Sequence, residues 1–371
     1  MRKKITAIFI LMFFVLTFDC EAISAQGYAL VEVSTGRLIL GNNTDKKLPM
    51  ASTTKIMTGL LSCESGKLDS TFSIPEAAVK IEGASIYLVP GEKLTLRELT
   101  YGLLLESGND AANAIAYILA GSIPNYAKMM NQRAAELGLI NTSFSNPSGL
   151  DGKNHYTTAL DLARLGAAAM KNKDFAAIVS TYKYQIPYNG IKNGRTLINH
   201  NELLNIYEGT IGIKTGYTKS SGRCLVTCAE RNGIKLVAAT LNGMDDFGDH
   251  ISLQNYGFSK LKMHKLLTNP PDVYAAVAGG LSERVKCSYN ADFQAPLTDE
   301  EISNLKMQID MPRFAYAPVT KGQKMGEIVF ELDNIVIAKT DLLADENVDY
   351  KVLSRFEKFT DFLKRRLLHM Q

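Results

Sequence analysis

Pro49-Met50-Ala51-Ser52-Thr53-Thr54-Lys55-Ile56-Met57 sets a serine and a lysine three residues apart where a helix is expected to begin. That spacing puts both side chains on one helix face, within reach of each other. A serine hydroxyl is a weak nucleophile until a neighbouring base takes its proton, and a lysine serves as that base only where its surroundings keep it neutral. Ser52 is therefore the candidate nucleophile and Lys55 its base. The bland alternative is a helix N-cap at Ser52 and a solvated amine at Lys55, since two fixed residues recur by chance in a long chain.

Two later stretches change the balance. Ser107-Gly108-Asn109 lies 55 residues on, ahead of a helical run from Asp110 to Ala116, and Lys214-Thr215-Gly216 lies 107 residues further in a strand-like segment. On a loop between two helices, Ser107 and Asn109 can point into a cleft without disturbing a core. Ser-x-x-Lys, Ser-x-Asn and Lys-Thr-Gly, in this order, form the signature of the penicillin-interacting serine acyltransferases.

With 371 residues the chain can bury a sizeable core and exceeds the usual size of one domain, so two domains are expected. A net charge of +3, from 41 basic and 38 acidic residues, gives no broad basic field for nucleic acid. No phosphate-binding glycine loop or zinc-spaced Cys/His cluster occurs. Arg2-Lys3-Lys4, an apolar run from Ile5 to Phe18, and small residues at Ala22 and Ala25 give residues 1–25 the pattern of a signal peptide, hence an exported chain. The run is short for a membrane span, and Asp19 before Cys20 fits lipidation poorly. Cys224 and Cys228 would share a strand face about 13 Å apart, too far for a mutual bridge. Buried free thiols are expected at Cys63, Cys224, Cys228 and Cys287.

The remainder reads as an α+β chain. Tyr28–Val33 and Arg37–Leu40 flank Ser34-Thr35-Gly36 as a hairpin. The helix after Ser52 should bury Ile56, Met57, Leu60 and Leu61 and stop at Gly66. Thr95 and Glu98 fit a capping box. From Asn109 to Met170 the pattern is helical and alanine-rich, broken by a loop at Asn146–Gly152; His155 beside it has no placed acidic partner and reads as structural. Asn232-Gly233 separates the apolar runs 224–229 and 234–241 as a hairpin turn. A mostly antiparallel sheet, built from both ends of a domain spanning 26–268, would thus sandwich the central helices. Asn269-Pro270-Pro271 is the expected boundary, followed by a small all-β domain over 272–350 with alternating runs such as Val273–Val277 and Glu327–Leu332. In 352–371, Val352, Phe356, Phe359, Leu363, Leu367 and Met370 recur at spacings of three and four beside Lys364-Arg365-Arg366. This amphipathic basic helix would lie on an anionic membrane or pack on its own domain.

At its three motifs the chain resembles the D-alanyl-D-alanine carboxypeptidases, the low-molecular-mass penicillin-binding proteins that trim bacterial peptidoglycan. The likeness extends over most of 27–265, including Pro49–Thr58, Asn146–Leu150, Thr158–Ala163 and Asn199–Thr218. Asn242–Asp246 with Asp249-His250 looks more like the sporulation-associated branch. The resemblance implies the β-lactamase/penicillin-binding transpeptidase-like fold and a peptidoglycan stem peptide ending in D-Ala-D-Ala as substrate. It also implies β-lactams as covalent inhibitors and no metal or organic cofactor. Ser52 would attack the carbonyl between the two D-alanines, with Lys55, neutral through burial and the Lys214 charge, taking its proton. Backbone N–H groups of Ser52 and Tyr217 would form the oxyanion hole. Ser107 would pass a proton to the departing D-alanine, and Asn109 would hold the substrate amide or orient Lys55. Lys214 and Thr215 would meet the terminal carboxylate, and Gly216 would allow close backbone approach. Many members add an arginine beyond the Lys-Thr-Gly strand; here Arg223 is near in sequence only. A class A β-lactamase would need a glutamate followed four residues later by asparagine, whereas Glu202 has Asn205 three residues on. A cross-link endopeptidase and a non-catalytic penicillin-sequestering wall protein are the other readings.

Overall fold

The computed structural model describes residues 22–188 and 191–352, apart from the side chain of Asn193. The expected leader through Glu21 and the basic segment after Val352 lie outside the described residues. By internal contacts the chain divides into two units: residues up to Val31 with Leu38–Ala229 and Leu236–Ser259, and Glu32–Arg37 with Glu230–Lys235 and the chain from Lys260. The division precedes Asn269-Pro270-Pro271 because Lys262–Lys265 is already a strand, paired antiparallel with Gln294–Leu297.

In the first unit, β1 (Gly27–Glu32) and β2 (Leu38–Asn42) form the hairpin expected around Ser34-Thr35-Gly36. A 3₁₀ turn at Ala51–Thr54 then runs into α1 (Lys55–Glu64). Ile56, Met57 and Leu60 are buried, each contributing about 1.5–3 kcal/mol of apolar burial. Leu61, expected on the same face, is only half buried. It has rotated past the core stripe to line a surface depression with Glu64 and Arg133. Helix α2 (Leu96–Leu104) starts with the Thr95/Glu98 capping box. Helices α3 (Asn109–Ala120), α4 (Ile123–Glu136), α5 (Ala159–Met170) and α6 (Lys173–Val179) complete the helical region.

The hairpin β3 (Lys183–Tyr188) and β4 (Ile191–Ile198) leads to β5 (Thr210–Thr218), β6 (Gly222–Arg231), β7 (Ile234–Gly243) and α7 (Asp246–Lys260). Asn232 and Gly233, with φ of 51° and 78°, both adopt the left-handed conformation that a tight hairpin turn demands. The five-stranded sheet runs β2-β1-β7-β6-β5, so chain-terminal and mid-chain strands interleave and β5 is an edge. His250 of α7 is buried between Thr227 and Thr240, its ring nitrogens 2.6 and 2.9 Å from their hydroxyls. Burial pushes its pKa down to about 3, so it packs as a neutral ring. Among the described residues the four cysteines form no disulfide; Cys224, Cys228 and Cys287 are buried as expected, and Cys63 is half buried.

The second unit is the expected β-rich domain. Its six-stranded sheet includes Val273–Ala278, Arg284–Ser288, Lys324–Leu332 and Ile335–Ala344. Along Val273–Ala278, Val273, Ala275 and Val277 point inward while Tyr274 and Ala276 are exposed, the period-two alternation of a half-buried strand. Their inner faces meet Val285, Cys287, Ile328, Phe330 and Leu342 in one core.

Candidate active site

Ser52 sits in the 3₁₀ turn rather than in the helix proper, which leaves its hydroxyl at the mouth of a cleft of about 370 Å³. The residue before it, Ala51, has φ 46°, a left-handed conformation that side chains rarely adopt. Two glycines make room for this turn. A Cβ on Gly149 would lie 2.0 Å from the Ala51 carbonyl oxygen, and one on Gly216 would lie 3.0 Å from the backbone nitrogens of Ser52 and Thr53. The Asn146–Gly152 loop and β5 therefore both press backbone against the nucleophile's turn.

Lys55 opens α1 and is completely buried. Its Nζ lies 3.0 Å from Ser52 Oγ, 2.8 Å from Asn109 Oδ1 and 2.6 Å from the Ser148 carbonyl oxygen. Asn109 Nδ2 donates to the Glu82 carbonyl at 2.8 Å, which fixes the amide with Oδ1 toward the lysine. Two of the three neighbours can only accept. A neutral amine satisfies the set with its two N–H bonds to Asn109 and Ser148, leaving its lone pair for the Ser52 hydroxyl proton. Burial, reinforced by the Lys214 charge and opposed by Asp110, holds the Lys55 pKa well below that of a free lysine. The geometry accommodates the neutral amine that a base requires, and burial favours it.

Ser107 occupies the turn between α2 and α3 with φ 62°, and it lines the same cleft as Ser52, Thr215, Gly216 and Tyr217. Asn109 is not on the loop itself but is the first residue of α3, where its backbone N–H donates to the Ala84 carbonyl. Asp110 next to it accepts from the Ser85 hydroxyl and the Ile86 and Leu88 backbone amides. The irregular stretch around Gly83–Tyr87 is thereby folded onto the start of α3 and brings Ala84 to the cleft.

Lys214 lies in the edge strand β5, buried, with Nζ donating to the Thr215 carbonyl at 2.9 Å. Burial draws its pKa down to about 7, and the carboxylate of Glu106 opposes that pull. The motif residues thus meet in one place: Ser52, Ser107, Thr215, Gly216 and Tyr217 at the surface of the cleft, with Lys55, Asn109 and Lys214 beneath.

The structure also brings in residues that motif reading did not assign. Arg223 is the register partner of Tyr217 across β5 and β6, and it lines the cleft, 3.6 Å from Asp246. It is therefore a neighbour in space as well as in sequence. The hairpin geometry of two strands joined by a short turn was the signal that could have placed it. His200, Glu202, Asp246 and Phe247 complete the wall. His155 is elsewhere: its Nδ1 accepts from the Ser145 N–H at 3.1 Å and its Nε2 lies 2.7 Å from Thr54 Oγ1, with burial pushing its pKa down to about 4. It braces the turn from below, as a structural histidine.

The family profile described as D-alanyl-D-alanine carboxypeptidase matches residues 15–245, and that of the penicillin-binding protein 5 C-terminal domain matches residues 262–350. D-alanyl-D-alanine carboxypeptidase DacF of Bacillus subtilis is 31% identical over 354 residues, covering 92% of this chain and 89% of the relative. DacB2 of Mycobacterium tuberculosis is 39% identical over 223 residues, 59% of this chain and 75% of that protein. Among solved structures, penicillin binding protein 5 from Haemophilus influenzae superposes with a TM-score of 0.69 at 27% identity, covering 88% of this chain and 98% of that one. With a serine and a buried lysine joined by Ser-Gly-Asn and Lys-Thr-Gly around one cleft, and with the two profiles following one another along the sequence, the chain belongs to the D-alanyl-D-alanine carboxypeptidase family.

Proposed function

We propose that the chain removes the terminal D-alanine from peptidoglycan stem peptides through an acyl-enzyme on Ser52. The observation that carries this reading is the three-way environment of Lys55 Nζ, whose two acceptor-only partners leave its lone pair to the serine. Lys55 takes the Ser52 proton as Oγ attacks the D-Ala-D-Ala carbonyl. The backbone N–H groups of Ser52 and Tyr217 receive the developing oxyanion; the close approach of Gly216 to the Ser52 amide supports this, since both strands of backbone then border one point. Ser107 returns a proton to the departing amine. Lys214, Thr215 and Arg223 meet the terminal carboxylate, a role favoured by the place of Thr215 and Arg223 on the cleft lining with the Lys214 amine at the Thr215 carbonyl. Water then releases the shortened peptide, and β-lactams stop at the acyl stage. The edge position of β5 suits an extended peptide laid alongside it.

The test is D-alanine release from a pentapeptide ending in D-Ala-D-Ala, beside a Ser52→Ala variant. Serine-dependent release is expected. Stable penicillin acylation without release would instead favour an endopeptidase or a sequestering protein.

We also propose export by the 1–25 leader and peripheral attachment at the outer membrane face through 352–371. No helix among the described residues is long and apolar enough to cross a membrane, so the reading rests on the basic amphipathic pattern. Deleting 352–371 should release the protein from anionic vesicles; unchanged partitioning would refute the anchor.

A further inference from the structure

We propose that Glu106 is a positioning residue for carboxylate recognition: it seats the Ser107 turn against the segment that follows β4 and serves as counter-charge to the Lys214 ammonium. This rests on the reading of Lys214 as a carboxylate-binding group.

Three observations meet at this one side chain. Glu106 directly precedes Ser107, whose left-handed φ of 62° needs support from its surroundings. Its Oε1 accepts from the Ile198 backbone N–H at 2.7 Å, reaching 92 residues along the chain to the end of β4. Its Oε2 faces His200 Nε2 at 3.3 Å, and His200 lines the cleft with Ser107. The carboxylate therefore ties two walls of the cleft together.

It also acts on the buried Lys214 amine. A lysine that recognises a carboxylate must carry its proton, and burial works against that. Lys214 has no carboxylate contact at hydrogen-bond distance among its described interactions; its Nζ donates to the Thr215 carbonyl, and the field of Glu106 is what opposes desolvation. The other titratable groups nearby are Lys55 from α1, whose proton affinity the Lys214 charge lowers, and His200 from the segment after β4, which faces Glu106. Glu202, Arg223 and Asp246 line the cleft wall. One carboxylate thus bears on both lysines: by favouring the charged Lys214, it favours the repulsion that adds to burial in lowering the proton affinity of Lys55.

The arrangement predicts different fates for two substitutions. Glu106→Gln retains an oxygen for the Ile198 N–H and loses the charge. His200→Arg, at a half-exposed side chain, leaves Glu106 in place and sets a permanent cation beside its outer oxygen. Both should lower the midpoint at which Lys214 loses its proton, by about one pH unit, equivalent to a tenfold change in the equilibrium. The midpoint is read directly by NMR of the side-chain nitrogen in full chains labelled with 15N-lysine, the Lys214 signal being identified by its loss in Lys214→Arg. The alkaline limb of kcat/KM for D-alanine release should move with it, through KM more than kcat.

A folded Glu106→Gln protein whose Lys214 midpoint coincides with that of the parent overturns the proposal. If that variant does not fold, His200→Arg decides, and an unmoved midpoint overturns it equally. A moved midpoint, with a parent chain that itself releases no D-alanine, would leave the counter-charge role standing and refute the proposed function instead.

Discussion

Asn109→Asp is nearly isosteric, yet it should disable the enzyme by charging its base. The present amide oxygen lies 2.8 Å from Lys55 Nζ. A carboxylate there would attract an ammonium by about 6 kcal/mol at an effective dielectric of about 20, roughly four pH units of added proton affinity. The base is useful only while neutral, and burial with the Lys214 charge currently keeps it so. The new carboxylate would overwhelm both. The lost donation from Nδ2 to the Glu82 carbonyl adds local repulsion but leaves the core of α3 untouched. Acylation by a fluorescent penicillin, followed as a second-order rate constant across pH, is the direct assay. At pH 7 the rate should fall at least about a hundredfold and recover as pH rises, because alkaline conditions restore the neutral amine. Asn109→Ala, which removes the oxygen without adding charge, should lose less and keep the parent's pH profile. Parental acylation by Asn109→Asp with an unshifted profile would refute the assignment of Lys55 as a neutral base.

Gly216→Ala would place a methyl 3.0 Å from the backbone nitrogens of Ser52 and Thr53, so kcat/KM should fall by about a hundredfold while thermal unfolding stays within a few degrees; wild-type turnover would show that the oxyanion lies elsewhere. The turnover of D-Ala-D-Ala peptides should decline as pH rises through about 7, where free Lys214 loses the charge that holds a carboxylate, and a rate flat to pH 9 would oppose that role. Below pH 6.5 the fold should weaken, since His250 and His155 have pKa values lowered to about 3 and about 4 and the unfolded chain binds protons the native one refuses. His250→Gln should flatten that acid dependence in a melting series from pH 3 to 7; an unchanged slope would assign the acid loss to other groups.

Much of this was legible in the sequence because the chemistry fixes residue types at fixed spacings. Ser52 and Lys55 announce a shared helix face, Thr95 and Glu98 announce a helix start, and Asn232-Gly233 announces a hairpin, all through local rules. The cleft wall was less legible. Ala84, His200, Arg223 and Asp246 come from separate segments of the chain, and only the sheet order and the folding of the Gly83–Tyr87 stretch onto α3 bring such segments to one place. The expected boundary at Asn269-Pro270-Pro271 followed the turn-forming residues, whereas the contacts change earlier, at Ser259–Lys260, because a short strand with little apolar alternation pairs forward with Gln294–Leu297. Leu61 was placed on the core face by spacing alone, and one residue's rotation on a helix is enough to expose it.

The two buried lysines set the working chemistry against the durability of the fold. Each refuses in the native state a proton that it would take in the unfolded chain, so the protein gains stability as pH rises, for Lys214 between about 7 and the ordinary lysine value of 10.5. At neutral pH the fold therefore holds itself below its own ceiling. A chain carrying methionine at position 55 or 214 would be a poorer enzyme and a sturdier protein. The charge-bearing chemistry and the stability of the fold thus pull the same two positions in opposite directions.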